Sequence, residues 1–314
     1  MRILVIKLGA LGDFVQAMAP AAAIRAHHRD ADITLLTTAP YAELAEAAPY
    51  FDRVWIDARL RAFDLAGWWR FRRRLRGARF ERVYDLQTSD RSSFYHPLMG
   101  RPEWSGIARG ASHPHDDPGR DHMHTLERQA EQLRRAGIAA VPPPDVGWAA
   151  REVGHFGLTP PLLLLVPGGS AHRPAKRWPA ENYAALAALA AREGVMPVVL
   201  GGVAETGLAA IIRQQAPAAR DLTGRTSHGE IVGLAKLAWR AVGNDTGPMH
   251  LIVAAGCPAT VLYLAASDPA LTAPRGNDVQ ILRRTRLADL PVEEVAATLR
   301  FGEVAAVAAG RHAP

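Results

Sequence analysis

Residues 242–256 read VGNDTGPMHLIVAAG. AVGND (241–245) ends an apolar run, as a buried strand would. GPMHLIVAAG (247–256) then has the pattern of a helix. Asp245 or Thr246 can cap that helix, Gly247 permits close approach, and Pro248 suits the first turn. Strand, small-residue turn and helix in succession are the unit of a parallel α/β sheet. Two readings are open. In one, the helix is simply well capped and His250 is satisfied by its neighbours. In the other, the helix start faces an anion, since its free amides and dipole favour negative charge.

Two more turns of this kind lie upstream. PGGS (167–170) follows the apolar run PLLLLV, and GGVAE (201–205) follows VMPVVL. In a parallel sheet such turns gather at the carboxyl edge, so three in one half of the chain point to a phosphorylated ligand. A helix is expected over 178–193, others over about 205–215 and 231–238, a strand over 259–264 and a closing helix over 291–300.

The first half repeats the alternation. RILVIKL (2–8), ITLLTT (33–38), RVWID (53–57) and RVYDLQ (82–87) read as strands, separated by helical stretches. Residues 101–123 are rich in Gly, Pro, His and Asp and read as a long loop, followed by a helix over 124–138. VPPPDVGW (141–148) is stiff and extended, and marks a linker. The expected fold is α/β: two Rossmann-like domains with parallel sheets, facing each other across a cleft. They occupy 1–150 and 151–290, and 291–314 forms a closing helix and tail that packs back on the first domain.

Composition agrees with a globular chain of 314 residues, 48% hydrophobic and 22% charged. The one cysteine, Cys257, excludes an internal disulfide and fits a reducing cytoplasm. No signal-peptide pattern and no run of about 20 apolar residues is visible. The formal charge is +6, and only three of the 37 basic residues are lysines: Lys7, Lys176 and Lys236. An arginine-favouring genome would explain that balance. The densest patch, RFRRRLRGAR (70–79), follows Trp68 and Trp69. It suits an anionic membrane surface as well as a plain solvated helix face, and it lacks the spacing of an RNA-binding module. HPHDDPGRDHMH (113–124) is dense in metal-ligand types but has no regular ligand spacing, so no metal is expected there.

Taken together, the motifs resemble glycosyltransferase family 9, the heptosyltransferases of lipopolysaccharide assembly. VGNDTGPMHLIVAAG is similar to the family's donor-binding signature. KLGALGDFVQAMAP (7–20) resembles its opening stretch, AKRWPAENY (175–183) its lysine, tryptophan and proline before a helix, and LTGRTS (222–227) the segment ahead of GNDTG. The resemblance runs from residue 1 to about 276. It implies a GT-B fold and an inverting, metal-independent transfer, usually from ADP-heptose. No cofactor is implied beyond the nucleotide-sugar donor. The acceptor would be an anionic glycolipid or cell-envelope saccharide held by the first domain, met in the cytoplasm or at the cytoplasmic face of the inner membrane. No nucleic acid is involved.

Roles follow from that chemistry. In-line displacement at the anomeric carbon needs a base for the acceptor hydroxyl, and Asp13 matches the family's proposed base. An aspartate that only caps the next helix is the plainer alternative. Lys176 matches the phosphate-contacting lysine and would act with Asp13 in catalysis. Thr246, Gly247 and His250 would hold the diphosphate, with Gly168, Gly169 and Ser170 beside it, and Asp245 would meet sugar hydroxyls. Glu205 matches a ribose-binding glutamate, and Arg225 and Thr226 lie where the family packs its base. Gly12, Gln87, Arg91, Arg109 and His124 are acceptor-side candidates, with Ser89 near them. LAASDP (264–269) departs from the family's glycine-proline turn, which leaves a sugar other than heptose open. A non-catalytic sugar-nucleotide-binding scaffold remains a rival. An NAD-dependent oxidoreductase is disfavoured, because GALGD lacks the G-x-G-x-x-G spacing.

Overall fold

The structure, a computed structural model, describes residues 1–169 and 174–304. Ser170 lies outside them. The chain forms two compact units, one over 1–144 and one from Asp145 onward.

In the first unit, strands β1 (Arg2–Ile6), β2 (Asp32–Thr37), β3 (Arg53–Ile56), β4 (Arg82–Asp85), β5 (Glu103–Gly106) and β6 (His113–Pro114) form one parallel sheet. Its order is β3-β2-β1-β4-β5-β6. Ile3, Leu4, Val5 and Ile6 of β1 are all buried, as expected of a central strand covered on both faces. One face packs on Leu75 and Phe80, with Tyr95 and Trp104.

The second unit has β7 (Leu162–Val166), β8 (Met196–Val199), β9 (Arg220–Asp221), β10 (Ala238–Asn244), β11 (Ala259–Leu264) and β12 (Val279–Arg284), again all parallel. The order is β12-β11-β10-β7-β8-β9. Counted from each unit's own first strand, the two sheets follow the same path. In both, the chain reverses direction of growth beside the first strand, between β1 and β4 and between β7 and β10. That junction is where doubly wound sheets hold ligands. The second core gathers Leu163, Leu165, Trp178, Tyr183 and Leu186 with Val295, Leu299 and Val304. The helix Val292–Ala297 contributes Val295 to the second unit's core.

Residues 101–123 are not one loop. β5 and β6 extend the sheet there, and the segment is tied to the helix Thr125–Arg135. His115 Nε2 lies 2.8 Å from Glu131, while Arg135 pairs with Asp116 and Asp117. Burial lowers the pKa of His115 against the opposing pull of Glu131. The helix Asp90–Met99 was also unexpected. Its start is a reciprocal cap: Ser89 N donates to Ser92 Oγ at 3.0 Å and Ser92 N to Ser89 Oγ at 3.3 Å. The arginine-rich helix runs Leu65–Ala78 and is capped by Asp64, which accepts from Gly67 N at 2.8 Å. No described helix is long and apolar enough to cross a membrane.

Candidate functional site

Each unit carries its own cluster at its topological junction. In the second unit the cluster is built on Asn244, the last residue of β10, which is completely buried. Its Nδ2 donates to Pro167 O at 2.9 Å and Gly168 O at 3.1 Å. Its Oδ1 accepts from Trp178 N at 3.0 Å. One side chain thus fastens the turn after β7 to the segment carrying Lys176. Trp178 is itself buried, with Nε1 donating to Leu290 O at 3.0 Å. The Lys-Arg-Trp-Pro order now has a physical reason. The tryptophan anchors the chain, and Lys176, two residues earlier, reaches Asp245 at 3.2 Å.

The helix that follows spans Gly247–Ala254. Neither Asp245 nor Thr246 caps it: Thr246 is the N-cap residue, and its side chain makes no capping bond. Side-chain capping therefore does not account for this turn. His250 is buried one turn in. Tyr263 of β11, which the sequence reading did not single out, lies beside Asp245. Burial, with that carboxylate adding to it, pushes the pKa of the tyrosine hydroxyl well up.

Glu205 folds over the turn after β8, and its Oε2 accepts from Gly202 N at 2.8 Å. Its side chain also packs against Gly168 and Gly201: a Cβ on Gly168 would come within 3.0 Å of Glu205 Cγ. Gly169 O accepts from Arg177 at 2.8 Å. Arg225 and Thr226 follow β9. Arg225 is exposed and lines a separate hollow of about 320 Å³ with Phe156, Arg213, Arg220 and Asp221. In the departing loop, Asp268 caps the turn Pro269–Thr272 through Ala270 N at 3.1 Å, and Arg283 holds Ala265 O at 2.6 Å.

In the first unit, Asp13 lies in the first turn of a short helix, Leu11–Gln16, whose N-cap is Ala10. Its carboxylate makes no capping bond, so helix capping is not its role. Gly12 is buried beside it. Asp13 lines a small cavity of about 70 Å³ with Lys7, Gln87, Thr88, Arg128, Gln129 and Gln132. Gln87 closes the junction: its Oε1 accepts from Leu8 N at 2.9 Å. Lys7 is buried and donates to Leu86 O at 3.2 Å. Burial lowers its pKa, against the attraction of Asp13 and Asp85. Asp85 is fully buried and is pushed up to about 6 by desolvation, although it accepts from Thr88 N at 3.0 Å and Gln87 N at 3.1 Å. Gln132 Nε2 bridges Asp85 O and Ser105 O at 3.0 and 3.1 Å.

Three acceptor-side candidates lie elsewhere. Arg91 sits in the first turn of helix Asp90–Met99 and turns to Asp57, with bonds of 3.2 and 3.0 Å. Tyr95 donates to the same carboxylate at 2.6 Å. Burial would raise Asp57, but Arg91 and Tyr95 outweigh it and hold it below the usual range. Arg109 is exposed in the loop after β5. His124 is buried and caps its helix, Nδ1 accepting from Leu126 N at 3.2 Å. Ser89 likewise is a helix cap. Conversely, Lys7, Arg128 and Gln132 surround Asp13 and were missed. Lys7 had a signal: a lysine ending an apolar strand, in a chain with three lysines.

Comparison with known proteins adds the lineage. Lipopolysaccharide heptosyltransferase 2 of Salmonella typhimurium is 35% identical over 128 residues, covering 39% of this chain and 36% of that protein. The E. coli protein of the same name is 34% identical over the same shares. The match thus spans about a third of the length of these curated relatives. Among solved structures, E. coli ADP-heptose lps heptosyltransferase II superposes with a TM-score of 0.79 at 23% identity, covering 100% of both chains. A glycosyl transferase family 9 protein from Veillonella parvula gives 0.83 at 22% identity over 95% and 96%. E. coli heptosyltransferase WaaC with ADP gives 0.76 at 20% identity over 95% and 98%. These likenesses establish the fold, α/β with the two Rossmann-like units of the GT-B class. Glycosyltransferase family 9 (heptosyltransferase) itself matches over residues 68–300, and the chain belongs to that family.

Proposed function

We propose that this protein is an inverting glycosyltransferase that moves a heptose from ADP-heptose to a lipopolysaccharide-core saccharide. The observation that carries the reading is the start of helix Gly247–Ala254. It ends a central strand without a side-chain cap, and Lys176 is pinned beside it on Asp245. First-turn amides and a lysine together are what a leaving diphosphate needs. The relatives' names supply the sugar: two are lipopolysaccharide heptosyltransferases, and one solved structure holds ADP-2-deoxy-2-fluoro heptose.

The acceptor hydroxyl oxygen bonds to the anomeric carbon as the bond from that carbon to the diphosphate oxygen breaks. The hydroxyl proton passes to the Asp13 carboxylate, and ADP leaves with the electron pair. Asp13 suits this role because its carboxylate lies at a cavity and is not spent on capping. Lys176, Gly247 and the amides after Thr246 meet the charge developing on the diphosphate, with His250 one turn behind. Lys176 must then exchange Asp245 for phosphate, which frees Asp245 for sugar hydroxyls. Gly168 and Gly169 border the diphosphate, Glu205 meets the ribose, and Arg225 and Thr226 flank the base.

Asp13→Asn tests the chemistry. Transfer is expected to fall by about 10³-fold, within the usual range for losing a general base, while ADP affinity by calorimetry stays within about twofold. Unchanged transfer would remove Asp13 from the mechanism. A thermal-shift series tests the donor. ADP-heptose should raise Tm by mass action, and a UDP- or GDP-sugar that does so in its place would change the assigned sugar nucleotide.

A further inference from the structure

The helix Leu65–Ala78 has two faces. Trp68, Phe71, Leu75 and Ala78 turn inward, onto Tyr95 and the sheet. Leu65, Trp69, Arg72, Arg73 and Arg76 recur at the spacing of a single outer stripe, and all five are exposed. Leu65 and Phe63 are each 77% exposed, Trp69 58%, and Phe94, edge-on to Trp68 from the adjoining helix, 51%. A hollow of about 420 Å³ opens on the arginine end of the stripe. It is lined by Trp69, Arg72, Arg73, Arg76, Gly77 and Arg79, with no carboxylate.

Two plainer explanations fail. A solvated helix face normally mixes charges. Here residues 65–79 hold six arginines and no acid, and none of the six forms an ion pair among the described residues. Arginines three and four apart repel, so the arrangement is kept against a local cost. A general preference for arginine fails too. With these six set aside, the chain has 31 basic and 31 acidic residues, so the whole formal charge of +6 resides on this one helix.

We propose that this face docks the protein on an anionic lipid bilayer. Trp69, Leu65, Phe63 and Phe94 would enter the interfacial zone, where amphipathic aromatics are favoured. Arg72, Arg73, Arg76 and Arg79 would meet headgroup phosphates, which the guanidinium fork fits in two places at once. The guanidinium of Arg73 already lies 4.8 Å from the Trp69 ring, so the charge and the anchor form one element. A folded nucleic acid would also meet arginines, but it gives three exposed apolar side chains ahead of the basic stretch no partner. The inference stands apart from the transfer chemistry, since none of these residues belongs to either junction.

The test is co-sedimentation of the full chain with vesicles of phosphatidylcholine alone or with roughly one-third phosphatidylglycerol. Binding is expected to the anionic vesicles at low salt, at least about tenfold over the neutral ones, and to weaken as salt screens it. Arg72→Ser/Arg73→Ser/Arg76→Ser should lose that preference by about tenfold or more while circular dichroism and ADP-induced thermal shift are kept. Trp69→Ser should weaken binding and leave its salt dependence intact. If the triple variant does not fold, quenching of wild-type tryptophan fluorescence by brominated anionic lipid decides the matter. No quenching, equal binding to both vesicles, a triple variant that binds normally, or displacement from vesicles by a short RNA or DNA would each overturn the proposal.

Discussion

A single carboxyl shows how tightly the first junction is built. Asp85 ends β4, fully buried, with two backbone amides on one oxygen and Lys7 nearby. Desolvation outweighs these and lifts its pKa from 3.8 to about 6. A raised carboxyl pKa means that the folded chain holds the proton more tightly than the unfolded chain does. Its contribution to stability is therefore largest in acid and falls as pH rises toward 6, staying level above. The shift corresponds to about 3 kcal/mol. In Asp85→Asn this slope should vanish. The unfolding free energy of the wild type, minus that of the variant, should fall by roughly that amount between about pH 4 and pH 7. Urea titrations at a series of pH values measure it, and a pH-independent difference would refute it. Asp13 stands out as a candidate in the sequence because GALGD has a family counterpart. Lys7 stands in the same stretch and carried a signal of its own, whereas Arg128 and Gln132 did not, because distant segments must fold before they share a cavity.

Elements differ in how much room they leave. Gly243, next to last in β10, lies against the helix it leads to. An added Cβ would fall 2.5 Å from Met249 Sδ and 2.8 Å from Val166 Cβ. Methionine can yield, but Val166 Cβ is fixed to the neighbouring strand. Gly243→Ala should therefore cost about 1–3 kcal/mol of unfolding free energy, and should weaken ADP binding because Asn244 and Asp245 move with it. Gly77, in the arginine-rich helix, has nothing within 4 Å of such a Cβ. Gly77→Ala should stabilise by up to about 1 kcal/mol, from helix propensity alone. Chemical denaturation of the two variants side by side checks both signs. The same contrast explains which elements could be read. β1 and β7 are unbroken apolar runs. β5 reads Glu-Trp-Ser-Gly, β6 has two residues, and β12 ends in Arg283 and Arg284, so edge position and tertiary pairing made strands of sequences with no strand period. The helix over 90–99 contains Pro97 and has almost no apolar stripe; its one local signal was the Ser89–Ser92 box.

On the scale of the whole molecule, the two units fold around separate cores, and the proposed chemistry is divided between them. Nucleotide alone should then be felt unevenly. With ADP near saturation, amide exchange should slow in the second unit, at 244–250 and around 176–178, while the cavity around Asp13 exchanges as before. Equal protection of both units would mean that ADP also contacts the first. The alternation of strands and helices made both sheets legible in outline. Their edges were not, because burial by a neighbour, not local pattern, decides where such pieces settle.

The shared strand path has a consequence for descent. Two copies of one architectural plan, each with its proposed working groups at the same crossing, could change separately within one gene. The LAASDP turn follows β11 in the second sheet and takes no part in the ladders of the first. On the proposed split of donor and acceptor, a change of sugar would leave the acceptor half as it is, and experiments that graft one half at a time would test that route.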